Sequence, residues 1–160
     1  MTGCKIVFSG ENSLEVKFEQ KICIEVNRMV FEFAKFFEEA AVGISDVKIE
    51  EIVPTYCAVT VYFDCAENGD EGRKKVLEAA QRILDRVLSD GEKTTENSGR
   101  VVKIPVCYDD EEFAPDLKDV ALNAGLSQKE VVRIHSSTDY LIYMLGFLPG
   151  FAYLGGLDPR

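Results

Sequence analysis

Residues 24–40, IEVNRMVFEFAKFFEEA, decide the fold class. Val26, Met29, Val30, Phe33, Phe36, Phe37 and Ala40 recur at spacings of three and four, while Glu25, Glu32, Lys35, Glu38 and Glu39 take the other face. That period predicts an amphipathic helix whose apolar stripe needs a partner layer. A core face explains the Met and Phe stripe more economically than a ligand site. Gly43 is expected to close the helix.

The flanking segments supply the partner. KIVFSGENSLEVKF alternates at period two through Ile6 and Phe8, then Leu14, Val16 and Phe18, which predicts two strands around the turn Ser9–Asn12. VKIEEIVPTYCAVTVYFD alternates through Val47 and Ile49, is interrupted at Pro54, and alternates again through Val59, Val61 and Phe63. Pro54 suits the link, because it cannot donate within a ladder. NGDEG (68–72) reads as a turn leading into a second amphipathic helix, RKKVLEAAQRILDRVL. Its apolar face holds Val76, Ala80, Ile83 and Val87, widened by Leu77, Leu84 and Leu88. The expected first domain (1–92) is therefore an α+β ββαββα unit, with two helices on one face of a four-stranded antiparallel sheet. SDGEKTTENSGR is polar and glycine-containing, and residues 93–100 within it are the expected linker.

Composition sets bounds. At 160 residues the chain holds one domain or two small ones. The apolar fraction of 46% and charged fraction of 29% are ordinary for a globular protein. No apolar run approaches the length of about 18 residues that a transmembrane helix needs. The N-terminus lacks a signal-peptide core, so a cytoplasmic protein is expected. A formal net charge of −10 disfavours nucleic acid and membrane surfaces, which call for clustered Lys and Arg. Cys4, Cys23, Cys57, Cys65 and Cys107 form no C-x-x-C pair and show no zinc-finger spacing. They are expected as small packed thiols, and no metal site is expected. None has a recognisable nucleophile context for pairing with His135, the one histidine.

Beyond the linker, VVKIPVCY alternates through Val102, Ile104, Val106 and Tyr108 and reads as a strand. Asp109, Asp110, Glu111 and Glu112 follow without the glycine and ligand spacing of an EF-hand, so a solvated loop is expected. LKDVALNAGLSQKEVVRIH then has the outline of a helix-turn-helix: Gly125 ends one helix, Ser127 starts the next, and Glu130 completes a capping box. Leu126 and Val131 take the hydrophobic-staple positions. A DNA reading would place Gln128, Lys129 and Arg133 in a groove, but Glu130 and the preceding acids oppose it. A helical hairpin packed beside a sheet is preferred.

The chain ends in MLGFLPGFAYLGGLDPR (144–160). Tyr140, Ile142 and Met144 alternate with Leu141, Tyr143 and Leu145 as a strand, which then breaks into glycines and rings. Pro149-Gly150 suits a type II turn, with the positive φ at Gly150. The rings can wall a small-molecule pocket or pack a barrel corner, and physics leaves both open.

This segment, with GENSLEVKF, VNRMV and VVKIPVCYDDEEFAPDLKDVALNAGLSQKEVVRIH, resembles the family of KipI and the 5-oxoprolinase B subunits, also called the allophanate hydrolase subunit 1 family. The resemblance implies a second, cyclophilin-like β-barrel domain, of which residues 101–160 would be an incomplete beginning. The expectation is a truncated form, whose exposed strand edges are covered by self-association or whose end is poorly ordered. It also implies a B-type subunit in ATP-dependent opening of 5-oxoproline to glutamate. Its partners would be a C-type (KipA-like) subunit and an A-type subunit. ATP would be used by the complex rather than bound by this chain, which contains no G-x-x-x-x-G-K, and the chain alone would be inactive. Carried over from the family signature, the site or subunit-interface residues are Gly146, Phe147, Pro149, Gly150, Phe151, Tyr153, Asp158 and Arg160, with His135 in a matching segment. Catalytic residues are not assigned. Two other roles stay open at this point. One is inhibition of a sporulation histidine kinase by binding. The other is a carboxyltransferase-related part in urea or allophanate metabolism.

Overall fold

The computed structural model describes residues 3–65, 69–90 and 99–159. Most of the expected linker lies outside the described residues. The chain divides into two compact units: Met1–Thr94 with Ile142–Tyr153, and Thr95–Leu141 with Leu154–Arg160.

The first unit follows the expected element order: β1 (Lys5–Phe8), β2 (Ser13–Lys17), α1 (Ile24–Ala41), β3 (Lys48–Pro54), β4 (Ala58–Asp64) and α2 (Gly69–Asp90). The sheet order is β1-β2-β4-β3, with antiparallel pairing throughout. Register places Leu14 opposite Val61 and Val16 opposite Val59. These side chains, with Phe63, are fully buried in one cluster with both helices. Alternation therefore sends one face of the sheet into the core and leaves Glu15, Lys17 and Tyr62 on the other.

From α1 come Val26, Val30, Phe33, Ala34 and Phe37, all buried. The Phe33 ring sits 6.3 Å from Phe18 and 5.7 Å from Phe37, so one aromatic file joins the helix to the end of β2. Each such side chain contributes about 1.5–3 kcal/mol by leaving water. From α2 come Val76, Ala79, Ala80, Ile83, Leu84 and Val87. Leu77, expected to widen this stripe, is exposed instead. The Arg86 guanidinium lies 3.7 Å from the Phe36 ring centre and Arg73 lies 4.3 Å from that of Phe8, covering both rings from the solvent side. The edge strands β1 and β3 are blunted. Strand β1 is short, and β3 has an irregular register between Ile49 and Glu51 and ends at Pro54.

The lead-in NGDEG is shorter than expected, because α2 already begins at Gly69. Gly72 is thus helical, and packing is the reason for its glycine. A Cβ there would lie 2.6 Å from Cys65 Sγ, 2.9 Å from Cys65 Cβ and 3.3 Å from Val47 Cγ2.

In the second unit, α3 (Leu117–Ala124) and α4 (Gln128–Ser136) form the expected helical pair. Gly125 caps α3 at φ +65°, and Leu126 N–H donates to the Ala121 carbonyl at 2.9 Å, closing a Schellman turn. Ser127 and Glu130 form the capping box, with Ser127 N–H donating to Glu130 Oε2 at 2.9 Å. Residues 101–108, however, form no strand, and Val101, Val102, Ile104 and Val106 are exposed. Alternation requires a neighbouring ladder to become a strand, and no described segment pairs with it. Besides the four-stranded sheet, the described strands are β5 (Leu141–Leu145) and β6 (Ala152–Gly155), a two-stranded hairpin.

Substituting Gly72→Ala is expected to destabilise the first unit by about 1–3 kcal/mol through overpacking against Cys65. This exceeds the gain of about 1 kcal/mol in helix propensity. Urea unfolding should show a lowered midpoint at unchanged slope. A raised midpoint would mean that Cys65 yields freely.

Candidate functional site

The terminal signature folds into the tip of the β5–β6 hairpin, and its residues 142–153 belong to the first unit. Two tight turns are nested there. The Phe151 N–H donates to the Leu148 carbonyl at 3.0 Å around Pro149 and Gly150, and Gly150 has φ +81°. This is the expected type II turn. The Leu148 N–H donates to the Gly146 carbonyl at 2.6 Å around Phe147, whose φ is +59°. A three-residue turn with positive φ at its centre is strained. The strain falls on Phe147 rather than on its glycine neighbour, and Phe147 is 83% exposed. The Gly146 N–H closes the loop on the Phe151 carbonyl at 3.1 Å.

From this tip the rings run inward as a ladder. Phe147 meets Phe151 at 5.8 Å, and Phe151 meets Tyr153 at 5.2 Å. Tyr153 meets Tyr56 edge-on at 6.2 Å, and Tyr56 meets Tyr143 at 5.3 Å. These separations are those of attractive aromatic pairs. Tyr56 lies in the β3–β4 turn, which Thr55 shapes: its N–H donates to the Ala58 carbonyl at 2.8 Å, and its hydroxyl accepts from the Ala58 N–H at 3.2 Å.

Asn27 holds the ladder to the helix. It sits in α1 at 4% exposure, the one buried polar residue among those described. Its Nδ2 donates to the Tyr143 carbonyl at 3.1 Å and shares its hydrogens with the carbonyls of Thr55 and Tyr56, both at 3.4 Å. One amide group thus joins α1, the β3–β4 turn and β5. Burial pushes the Tyr143 hydroxyl above its ordinary range, so it stays a neutral phenol in the physiological range. A cavity of about 370 Å³ opens beside the same turn, lined in part by Gln20, Ile22, Thr55, Tyr56 and Cys57. Burial also pushes the Cys57 thiol up, and its sulfur donates to the Lys21 carbonyl at 3.3 Å, so it is a poor nucleophile.

Gly146, Phe147, Pro149, Gly150, Phe151 and Tyr153 are therefore gathered in one hairpin. His135 belongs to the second unit, where its Nδ1 lies 2.5 Å from the Tyr108 hydroxyl and its ring 5.5 Å from that of Tyr140. Asp158 follows β6 as an exposed residue, and Arg160 lies outside the described residues. Asn27, Tyr56 and Tyr143 were not anticipated as site residues. Asn27 carried one signal, as a polar residue inside the apolar stripe of the first helix. Chemically the hairpin offers ring faces and backbone groups. Among the described residues no group of His, Cys, Asp or Glu is placed to hold a metal ion, and no helix is long and apolar enough to cross a membrane.

The chain matches the family described as carboxyltransferase domain, subdomain C and D, over residues 4–160. It is 34% identical over 154 residues to a 5-oxoprolinase B subunit of Bacillus subtilis (strain 168), covering 94% of this chain and 62% of that one. It is 31% identical over 151 residues to a 5-oxoprolinase B subunit of Escherichia coli O157:H7, again covering 94% and 62%. The chain belongs to the family of KipI and the 5-oxoprolinase B subunits. It spans 62% of the length of these two relatives. Two solved structures are also similar. The conserved uncharacterized protein PH0987 of Pyrococcus horikoshii has 33% identity and a TM-score of 0.41, over 96% of this chain and 65% of that chain. The N-terminal domain of the histidine kinase inhibitor KipI of Bacillus subtilis has 22% identity and a TM-score of 0.38, over 54% of this chain and 85% of that chain.

Two substitutions test the geometry. Gly150→Ala is expected to cost about 1–2 kcal/mol, because alanine resists a positive φ. Phe147→Gly should be neutral or stabilising, since it relieves the same strain at an exposed ring. Unfolding in urea separates the two signs, and equal losses would place the strain elsewhere. At Asn27, an aspartate would point a carboxylate at carbonyl oxygens. Its folded pKa would rise above the unfolded value of about 3.9, so stability is present at low pH and lost as pH rises past that value. Asn27→Asp should therefore lose more stability relative to the parent at pH near 7 than near 4. Asn27→Ala should lose about 1–3 kcal/mol at either pH. A pH-independent penalty for Asn27→Asp would contradict the donor role.

Proposed function

We propose that the chain is the B-type subunit of an ATP-dependent 5-oxoprolinase that opens 5-oxoproline to glutamate. It would act with a C-type and an A-type subunit. The observation that carries this reading is family membership along residues 4–160, with relatives named as 5-oxoprolinase B subunits at 34% and 31% identity. The geometry supports a contributing rather than autonomous role. The hairpin is a rigid display of Phe147 and Phe151, and Tyr56 links it to a cavity large enough for a small cyclic molecule. An unreactive ring amide requires activation: ATP would transfer its γ-phosphoryl group to the ring carbonyl oxygen with ADP leaving, and water would then attack that carbon, the C–N bond breaking and phosphate departing to give glutamate. Acid–base and phosphate-binding groups are then the share of the other subunits. In this role Phe147 and Phe151 make contact across the shared site, while Gly146, Pro149 and Gly150 shape the backbone beneath them.

The test is 5-oxoproline-dependent ATP hydrolysis after mixing with A-type and C-type subunits. A form as long as the relatives should support activity, and the 160-residue chain alone should not. Phe147→Ser with Phe151→Ser in the longer form should lower activity by about tenfold or more while circular dichroism shows the fold retained. Folded, associated subunits that never hydrolyse ATP in response to 5-oxoproline would remove the oxoprolinase reading. A binding role would then take its place.

A further inference from the structure

Cys23 and Cys57 belong to two segments that run side by side in the first unit. Cys23 is the N-cap of α1, and Cys57 lies in the turn between β3 and β4. Several contacts stitch these segments together. The Phe18 N–H donates to the Cys57 carbonyl at 2.9 Å, and the Cys57 thiol donates to the Lys21 carbonyl at 3.3 Å. Asn27 Nδ2 reaches the carbonyls of Thr55 and Tyr56. Cys23 sits between Lys21 and Asn27, one helical turn before Asn27, whose N–H donates to the Cys23 carbonyl at 3.1 Å. It therefore shares the helix face that meets the turn. Ile22 and Cys57 also line one cavity. The two residues from Lys21 to Cys23 span at most about 7 Å. A disulfide joins Cα atoms about 4.4–6.8 Å apart, which that reach allows once the Cys57–Lys21 hydrogen bond is given up.

The two thiols differ in access. Cys23 is half-buried and Cys57 is buried, and both are free. Burial pushes the Cys57 thiol up, and Cys23 adds to the rise, so the two groups lie within electrostatic reach of each other. The Cys23 thiol also helps to hold the Glu25 carboxylate low, after that residue's own N–H. Glu25 is exposed, so the Cys23 sulfur lies toward a surface that a solute can reach.

We infer that Cys23 and Cys57 form a reversible disulfide that ties the start of α1 to the β3–β4 turn, with a low-molecular-weight disulfide as the oxidant. The Cys23 thiolate attacks one sulfur of the oxidant, whose S–S bond breaks, and a small thiolate leaves and takes up a proton. Cys57 then gives its proton to water, and its sulfur attacks Cys23 in the mixed disulfide and expels the second small thiolate. The protein loses two electrons and two protons, and the oxidant is reduced to two thiols. Proximity offsets the small thiolate fraction at Cys57. Both sulfurs belong to this chain, so the bond needs no partner and is independent of the oxoprolinase reading. Cys57 follows Tyr56 and lines the cavity of about 370 Å³, so oxidation reshapes that cavity beside the ring ladder.

The test equilibrates the full chain with glutathione disulfide near neutral pH. Samples are quenched with acid, alkylated in denaturant and digested with trypsin. Peptide 22–28 should appear linked to peptide 49–73, and fragmentation should place the bond at Cys57 rather than Cys65. This link should exceed any other cysteine pair by at least about tenfold, as intramolecular proximity dictates. Dithiothreitol should reverse it. Oxidation in urea should scatter over the five cysteines, showing that the preference comes from the fold. Cys57→Ser should abolish the link and leave Cys23 carrying glutathione, and circular dichroism checks that this variant folds. Glutathione that stays on Cys23 of the parent without a link would overturn the inference. So would a Cys23 that remains fully alkylated, or one that pairs with Cys4, Cys65 or Cys107 as often as with Cys57.

Discussion

One carboxamide settles how the signature segment is held. Asn27 lies in the apolar face of α1, where a polar group costs stability unless it is hydrogen-bonded. Its partners are backbone carbonyls from Thr55, Tyr56 and Tyr143, so the penalty is relieved only when the β3–β4 turn and β5 are both in place. Moving residues 142–145 away would expose Tyr143 and take away the shortest of the three bonds. The hairpin is therefore part of the same cooperative structure as the four-stranded sheet, and the ring ladder from Tyr143 to Phe147 inherits that rigidity.

That rigidity bears on function. A loop with a strained residue at its tip needs a scaffold that prevents relaxation. Phe147 is presented to solvent by a turn that a looser support would let open. The rings of the ladder offer contact surface, and the buried Cys57 and Tyr143 are pushed toward their neutral forms.

Much of the first unit was legible because periodicity reports burial directly. The stripe from Val26 to Phe37 and the alternation of Leu14–Val16 against Val59–Val61 needed no tertiary knowledge. Capping is equally local, which is why Gly125, Ser127 and Glu130 were readable from their spacing, as was the Pro149-Gly150 turn. The segment 101–108 shows the limit: its alternation is that of a strand, but a strand exists only beside another. Leu77 fits the helical period and still faces solvent, since the stripe is wider than the surface that covers it. Gly146 drew attention as a glycine, while the positive φ passed to Phe147 because the hydrogen bond from Leu148 to Gly146 encloses that residue. Asn27 was least legible of all. Its acceptors are backbone atoms 28, 29 and 116 residues away, and side-chain identity carries no trace of them.

Native-state hydrogen exchange of the hairpin probes this arrangement most directly. The Gly146 amide, bonded to the Phe151 carbonyl, is the reporter, and the amides of β4 are the reference for global opening of the first unit. Anchoring through Asn27 predicts that Gly146 is protected to within about 1–2 kcal/mol of the β4 amides. It also predicts that Asn27→Ala selectively removes that protection. A Gly146 amide that exchanges as freely as an open loop in the parent protein, or that is indifferent to Asn27→Ala, would contradict it.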